Sequence, residues 1–434
     1  MLSERGVRVA LILKEPWKFP PSESSLYDKE KNPNGIISLA TAENFLVHDT
    51  LEEYINRNIS IPKAAFTYAY GSPYCAALTV PIARHINTHF KPCTPISSSH
   101  IVIANGVTAV NDLLGYVLAD PNDAIMINRP IYGKFGLDFG CRGDVGVVYA
   151  DTEPLEVFSV DVVKKYEEAI VTADKGGVKV RAMLITNPHN PLGRCYPPET
   201  LRELMRFCHR RNIHFISDEI YALSVFDSGE TGTIPFTSAL AIDPTGLLDE
   251  NYIHVMYGMA KDFSAPGLKL GFLISKNADV RKGVACASRF GRPSGVSIAI
   301  ASQMLNDEAF VSSYLSLCRE TLARTYKFVT ALLRENNIPY LPGSNAGYFV
   351  WIDLSAFIPP TTEQKPMSKT DREIALAERF VEAGVFLQPG DEQSYTPGWF
   401  RLVYTHEEEI VTEGIRRLVS SLKSLEWLSN ANLN

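Results

Sequence analysis

The sequence predicts an α/β protein in which a doubly wound, mostly parallel sheet is joined to a smaller α+β domain. Seven short apolar runs lie between residues 101 and 274, and helix-like stretches such as Pro198–Arg211 separate many of them. The runs are continuously apolar rather than alternating, which is typical of strands covered by helices on both faces. From Asp307 onward the pattern changes to long amphipathic helices around two short strand-like runs.

Each predicted element has a local signal. Short runs rich in β-branched residues predict the seven strands of the large sheet: Ile101–Ile103, Ala124–Ile127, Val145–Tyr149, Ala182–Ile185, Ile213–Ile216, Ile253–Met256 and Leu270–Ile274. Amphipathic patterns predict three helices of the second domain, and apolar runs predict two strands: Glu308–Asn336, Lys369–Ala383 and Glu407–Leu428, with Tyr348–Ile352 and Phe400–Tyr404. The segment Glu15–Gly35 is rich in Pro, Ser and Lys and predicts an extended arm.

These patterns predict three stretches of chain. We expect residues 1–60 to form an N-terminal arm and part of the small domain, residues 61–306 the large domain, and residues 307–434 the small C-terminal domain. Ligands of an open parallel sheet bind at the carboxyl ends of its strands. The residues that follow each predicted strand are therefore the candidates for a site.

Composition excludes several classes of function. The formal net charge is −7 and no basic stripe is present, so nucleic acid is not an expected partner. No apolar stretch approaches the roughly 20 residues that a membrane span needs, and residues 1–13 lack the apolar core of a signal peptide. We expect a cytoplasmic protein without a membrane segment. The seven cysteines are scattered with no C-x-x-C pair, which indicates neither a disulfide framework nor a metal site.

Polar motifs follow several of the strands. Gly106-Val107-Thr108 leads into a helix, where backbone N–H groups and a hydroxyl can bind a phosphate, although such turns are usually plain connections. Tyr132 follows the next strand and offers an aromatic ring, which is as readily a packing residue. The turn from Asn187 to Gly193 contains two Asn-Pro pairs, of which one would suffice to make a turn.

Three charged residues complete the set of candidates. Asp218 follows a buried strand, and a poorly solvated carboxylate needs a cation, either a protonated pyridine nitrogen or a structural arginine. Lys261 follows another strand, where most lysines are simply solvated. Arg401 lies in a strand of the second domain, and its planar fork suits bidentate binding of a carboxylate.

In order, the motifs Gly-x-Thr, Tyr-Gly, Asn-Pro-x-Asn-Pro-Leu-Gly, Asp-Glu-Ile-Tyr, Lys-Asp and Gly-Trp-Phe-Arg resemble a known family. They are similar to those of the fold-type I pyridoxal phosphate (PLP) enzymes of the class I/II aminotransferase group. The 1-aminocyclopropane-1-carboxylate (ACC) synthase-like branch also has an Ala-Glu-Asn element, here Ala42-Glu43-Asn44. The resemblance covers roughly residues 35–425. It implies an aspartate aminotransferase-like fold, with a seven-stranded sheet in a PLP-binding domain, and a homodimer with shared active sites.

The resemblance also implies roles for individual residues. Lys261 would hold PLP covalently and then move the α-proton of an amino acid substrate, while Asp218 would keep the pyridine nitrogen protonated. The remaining residues that would contact the cofactor are Val107, Thr108, Tyr132, Asn190, Tyr221 and Lys269, with Tyr70, or alternatively Tyr68, reaching the phosphate of the neighbouring subunit. Tyr221 would tune the covalent link. Arg401 would bind the α-carboxylate of the substrate. Asn190 and Glu43 would also lie against the substrate, where Glu43 would favour a lyase reaction, although Glu43 could equally anchor the arm.

Two positions depart from the family pattern. The family usually has Ser three residues before the lysine and Arg eight residues after it, where this chain has Gly258 and Lys269. Glycine removes a hydroxyl donor and lysine loses the planar fork, so we expect altered phosphate binding rather than a lost cofactor. We expect an elimination of the C–S lyase or ACC synthase type in specialised metabolism. The alternatives are an aminotransferase and a catalytically silent PLP-fold binding protein.

Overall fold

A computed structural model describes residues 1–12, 21–22, 25–361, 366–390 and 393–425. Within these ranges the strands are β1 (Ile37–Ser38), β2 (Ile101–Ala104), β3 (Ala124–Arg129), β4 (Gly146–Asp151), β5 (Val180–Thr186), β6 (His214–Asp218), β7 (Ile253–Gly258), β8 (Gly271–Ser275), β9 (Phe349–Asp353), β10 (Val385–Phe386) and β11 (Trp399–Val403). The α-helices are α1 (Glu4–Ile12), α2 (His48–Asn58), α3 (Ala76–His89), α4 (Val107–Leu118), α5 (Phe135–Gly143), α6 (Val163–Lys175), α7 (Pro198–Arg211), α8 (Ala278–Ala287), α9 (Gly295–Asn306), α10 (Glu308–Glu335), α11 (Lys369–Glu382) and α12 (Glu408–Lys423).

One seven-stranded sheet contains every strand predicted for the large domain. Its order is β2-β8-β7-β6-β5-β3-β4, and only β8 runs antiparallel to its neighbours. The other neighbours pair in parallel. Burial explains the continuous apolar runs, because all the residues of β2, β7 and β8 are buried. The predicted α/β class with a mostly parallel sheet is confirmed.

This topology brings several loops to one edge of the sheet. Strands β2, β3, β5, β6 and β7 run in the same direction, so their carboxyl ends meet there. The turns that follow them begin at Asn105, Pro130, Asn187, Glu219 and Met259. The motifs that stand far apart in the sequence therefore converge at the edge where such sheets bind ligands.

Contacts divide the chain into two units. The larger consists of Glu43–Ala323 with Gly343–Gly347, and the smaller of Met1–Ala42, Arg324–Pro342 and Tyr348–Asn434. The domain limits at residues 60 and 306 stay predictions from the sequence.

The smaller unit contains two short sheets. Strands β9 and β11 pair antiparallel, close to the two strands predicted in this part of the chain. Strands β1 and β10 form a parallel pair of two residues each, which the sequence did not predict. Helices α11 and α12 match predicted helices, although the predicted end of the last one, at Leu428, lies outside the described residues.

The arm predicted at Glu15–Gly35 falls partly outside the described ranges. Its described part makes a local turn, in which residues 26 and 36 form one bridge and residues 28 and 32 another. All seven cysteines lie in described parts of the chain and are free thiols. The described residues contain no cluster of three or more His, Cys, Asp or Glu side chains that could hold a metal ion. Among the helices described here, none is long and apolar enough to cross a membrane.

Candidate active site

Lys261 lies in a tight loop three residues past the end of β7. The amide of Met259 donates to Leu270 O over 3.1 Å, and the amide of Ser264 donates to Lys261 O over 2.7 Å. Lys261 is half-buried, and its Nζ lies 5.9 Å from the centroid of the Tyr221 ring. The structure thus brings the lysine close to a tyrosine that follows the neighbouring strand β6.

Asp218 is the last residue of β6 and is almost completely buried. Its Oδ1 accepts a hydrogen bond from the amide of Ile220 over 3.2 Å. Burial raises the pKa of Asp218 to about 7; the Ile220 hydrogen bond and the positive charge of Lys261 lower it, and Asp138 raises it. A carboxyl group in this environment ionises fully only when a cation lies against it. Its placement therefore suits a group that carries a proton on a nitrogen.

The turn after β2 presents backbone amides at the same edge. Gly106 has φ +89°, a conformation that glycine adopts without strain, and α4 begins at Val107. Ala109 is the first residue of this helix whose amide donates to Gly106 O. The amides of Val107 and Thr108 come before it and have no acceptor within the helix. Val107 is half-buried and Thr108 is exposed. The positive end of the α4 dipole and these amides can together hold a phosphate.

Glycines allow the backbone to approach closely beside this turn. A Cβ atom at Gly271 would lie 2.3 Å from the carbonyl carbon of Gly106 and 2.5 Å from Val107 N. Gly258 pairs with Gly271 across β7 and β8, and a Cβ atom there would lie 2.7 Å from Leu270 O. The serine that the family usually has at this position therefore cannot be accommodated here unless the backbone moves.

Lys269 occupies the second departing position. It is exposed and ends a short 3₁₀ turn in the left-handed conformation, with φ +51°. Its charge lies in the connection between the Lys261 loop and β8. The connection thus presents an ammonium group where the family usually presents a guanidinium.

Tyr132 and Asn190 follow the two strands β3 and β5. Asn190 is buried in a turn that is closed by hydrogen bonds from the Gly193 amide to His189 O over 2.9 Å and from the His189 amide to Arg194 O over 2.7 Å. Tyr132 is half-buried and packs edge-on against Phe135, with 5.2 Å between the ring centroids. Both side chains belong to the edge of the sheet that carries Asp218.

The remaining predicted residues have different environments. Glu43 is half-buried, and the neighbouring Asn44 accepts a hydrogen bond from the Leu46 amide through its side chain. Tyr70 is half-buried, and burial raises its pKa, whereas Tyr68 is fully exposed. These residues belong to the larger unit.

Arg401 belongs to the smaller unit, in the middle of β11. It is buried, its Nη2 donates to Ala40 O over 2.7 Å, and its guanidinium carbon lies 5.6 Å from the centroid of the Phe349 ring. These contacts fix the guanidinium group from two sides. A fork held in this way is suited to a planar anion.

The sequence did not predict two acidic residues of the site. Asp138 on α5 is buried and accepts a hydrogen bond from Asn111 Nδ2 over 2.9 Å. Burial raises its pKa to about 7. Asp138 shares a helical face with the buried Phe135 and Phe139, and a carboxylate on an apolar face was the signal that could have found it. The second is Asp262, the residue that follows Lys261.

The fold and these residues together define the class of protein. The buried carboxyl of Asp218, the Lys261 amine and the amides at the start of α4 match the pyridine nitrogen, the aldehyde and the phosphate of PLP. The fold is that of the fold-type I PLP enzymes. The family model for aminotransferase class I and II matches residues 36–418, and the chain belongs to that family, whose members are PLP-dependent.

Relatives with known names lie in the predicted branch. The chain is 32% identical over 436 residues to 1-aminocyclopropane-1-carboxylate synthase 1 of Prunus mume, covering 93% of this chain and 85% of the relative. It is 31% identical over 410 residues to 1-aminocyclopropane-1-carboxylate synthase-like protein 1 of Takifugu rubripes, covering 92% of this chain but only 63% of the relative's length. The predicted resemblance to the ACC synthase-like branch is confirmed.

A solved structure confirms the fold. The aspartate aminotransferase from Thermus thermophilus with maleate superposes with a TM-score of 0.73, covering 97% of this chain and 99% of that chain. The two sequences are 20% identical, so this similarity concerns the fold.

Proposed function

We propose that this protein is a PLP-dependent enzyme that removes the α-proton of an amino acid and then catalyses an elimination of the ACC synthase or C–S lyase type. The observation that carries the proposal is the convergence of a buried carboxyl, Asp218, and a loop lysine, Lys261, at one edge of the sheet. Relatives named as ACC synthases support a lyase. Retention of both residues argues against a silent binding protein.

The residues around the cofactor would have different roles in the reaction. PLP, when bound, supplies an electron sink that stabilises negative charge on the α-carbon of the substrate. Asp218 would hold a proton on the pyridine nitrogen, because a buried carboxylate beside a cation is far more stable than one alone. Lys261 would bind the cofactor covalently and, when displaced by substrate, move the α-proton through its amine. Tyr221, whose ring centroid lies 5.9 Å from Lys261 Nζ, would tune the proton affinity of this amine.

The other predicted residues would bind and orient the cofactor and the substrate. The amides of Val107 and Thr108 would hold the phosphate at the start of α4, with Lys269 adding positive charge. Tyr132 would pack against the cofactor ring and Asn190 would hydrogen-bond its 3′-oxygen. Arg401 would bind the α-carboxylate of the substrate, which fixes the α-carbon for proton removal.

Three further points belong to the same proposal. Glu43 would approach the substrate and favour elimination over amino transfer. Tyr70 would reach the phosphate of a neighbouring subunit, which requires a homodimer with shared active sites, and Tyr68 is the alternative. A role in specialised metabolism fits the departures at Gly258 and Lys269, since they distinguish this chain from the usual family pattern, and a cytoplasmic location is proposed with it.

The cofactor is tested by the visible absorbance of the purified protein. We expect an absorbance band with PLP that is lost in Lys261→Ala and retained in Lys282→Ala, a matched exposed lysine on α8. A wild-type protein that remains colourless after incubation with PLP would refute the enzyme proposal and favour a silent binding protein.

The reaction is tested with three kinds of substrate. The protein is incubated separately with S-adenosylmethionine, with cysteine conjugates, and with ordinary amino acids plus a keto acid. Release of pyruvate and ammonia from a cysteine conjugate, or of a cyclised amino acid from S-adenosylmethionine, without an acceptor supports elimination. Turnover that depends strictly on the keto acid would show an aminotransferase instead.

A further inference from the structure

Asp262 joins the loop of Lys261 to the turn of Tyr221. Its side chain is buried, and Oδ1 accepts a hydrogen bond from Ser224 Oγ over 2.6 Å. Oδ2 accepts hydrogen bonds from the Leu223 amide over 2.9 Å and from Tyr257 Oη over 3.0 Å. Two of the three donors lie two and three residues past Tyr221. One carboxylate therefore connects the two segments that carry the lysine and the tyrosine.

The donors match an ionised carboxylate. Burial raises the pKa of Asp262 to about 7, and the hydrogen bonds from Ser224, Leu223 and Tyr257 lower it. All three groups donate, so both carboxylate oxygens are used as acceptors. Tyr257 Oη also lies 3.4 Å from Nε2 of the buried His85 on α3, which extends the network away from the loop.

The peptides beyond Asp262 are held by other contacts. Tyr314 Oη donates to Phe263 O over 3.1 Å, and His48 Nε2 donates to Ser264 O over 3.0 Å. These contacts come from α10 and α2 and do not involve the Asp262 side chain. Loss of this carboxylate would therefore remove the side-chain link between the Lys261 loop and the turn after Tyr221, while the following peptides keep their anchors.

We propose that Asp262 is a positioning residue that sets the distance between Lys261 Nζ and the Tyr221 ring. The proposal rests on the proposed function of Lys261. Proton transfer and covalent capture by an amine both depend on placement to within about 1 Å. A side chain that ties together the two segments carrying these groups controls that placement without touching the substrate.

Two substitutions separate positioning from folding. Asp262→Ala removes all three hydrogen bonds. Asp262→Asn keeps an oxygen toward Leu223 and Tyr257, and its NH₂ group faces the Ser224 hydroxyl, which can rotate and accept. Asp123→Ala is the matched control, because Asp123 is also buried and accepts hydrogen bonds from Arg181 Nε and the Asp120 amide, over 2.6 Å and 3.1 Å, at the opposite edge of the sheet.

The experiment measures the rate at which Lys261 of the apoprotein captures PLP, trapped by borohydride reduction and mapped by peptide mass. We expect Asp262→Ala to slow the capture by about tenfold or more and to lower kcat more than it raises KM. Asp262→Asn is expected to stay within about threefold of wild type, and Asp123→Ala to be unchanged even if its Tm falls. Ser224→Ala, which removes one donor, is expected to slow the capture by a smaller factor and serves where Asp262→Ala does not fold.

The outcomes are distinguishable. If the wild-type apoprotein is not labelled at Lys261, the proposed function fails and the positioning role fails with it. If wild type is labelled and the folded Asp262→Ala or Ser224→Ala variant is labelled equally fast, only the positioning role is refuted. A fall in Tm of the Asp262 variants without a change in capture rate would show a purely structural carboxylate.

Discussion

Replacement of Asp218 by asparagine is expected to stabilise the apoprotein increasingly as the pH rises. The folded-state pKa of this carboxyl is about 7, against an ordinary value of 3.8, because burial disfavours its ionised form. A group whose pKa is raised in the folded state contributes stability below its unfolded pKa, and that contribution is lost as the pH rises through the folded value. Asparagine does not ionise and keeps an oxygen for the Ile220 amide.

The magnitude follows from the two pKa values. Through the raised pKa of Asp218, the free energy of unfolding of the wild-type apoprotein falls below its value in strongly acidic solution. The decrease is about 2 kcal/mol at pH 5 and about 4 kcal/mol at pH 8. The difference in free energy of unfolding between Asp218→Asn and wild type should therefore grow by about 2 to 3 kcal/mol between these two pH values. PLP should stabilise wild type more than Asp218→Asn, because its protonated nitrogen would pair with the Asp218 carboxylate and not with an amide.

Urea unfolding of both apoproteins at pH 5 and pH 8 tests this prediction. Asp123→Asn is the control, because the hydrogen bond from Arg181 lowers the pKa of Asp123 despite some desolvation, so this residue stays ionised over the whole interval. Its difference from wild type should be the same at both pH values. Parallel pH profiles for Asp218→Asn and wild type would refute the claim that burial raises the pKa of Asp218 in the folded apoprotein.

Three other predictions concern the remaining contacts. Gly258→Ser should weaken PLP binding by about tenfold or more, because its Cβ would lie 2.7 Å from a carbonyl oxygen, whereas Gly267→Ser, where the space is open, should bind PLP normally in a fluorescence titration. Arg401→Gln should raise KM by about tenfold or more with little loss of PLP, and an unchanged KM would contradict a carboxylate site. Of Tyr70→Phe and Tyr68→Phe, only the former should weaken PLP binding, because Tyr70 is half-buried and Tyr68 is fully exposed; equal affinities of the two variants for PLP would remove Tyr70 from the phosphate site.

The fold of the larger unit could be predicted because burial on both faces leaves a strong pattern. All seven strands of the sheet were found from continuous apolar runs, with ends that differ from the observed ones by a few residues. The pair formed by β1 and β10 was missed because two residues carry no periodicity. The convergence of Asp218 and Lys261 was inferred from the order of the motifs and from their positions after predicted strands, because an acid or a lysine after one strand is not specific by itself.

Other features depend on tertiary contacts that no local pattern encodes. Asp138 lies in a short helix, and only its position on an apolar face distinguishes it from a solvated acid. Asp262 is adjacent to Lys261 in sequence, but its partners Leu223 and Ser224 come from the turn after another strand. Such contacts depend on sheet order, which the sequence pattern left undetermined.

Gly258 shows how the structure changes the meaning of a departure from the family pattern. From sequence alone, glycine in place of serine is a lost hydroxyl and suggests weaker phosphate binding. In the folded chain, Leu270 O lies only 2.7 Å from the place that a Cβ atom of residue 258 would occupy, and the backbone of Gly106 and Val107 packs directly against Gly271. Glycine is thus the residue that allows β7, β8 and the start of α4 to approach this closely. We therefore expect this chain to hold the phosphate mainly through backbone amides, and restoring the missing serine to impair the site.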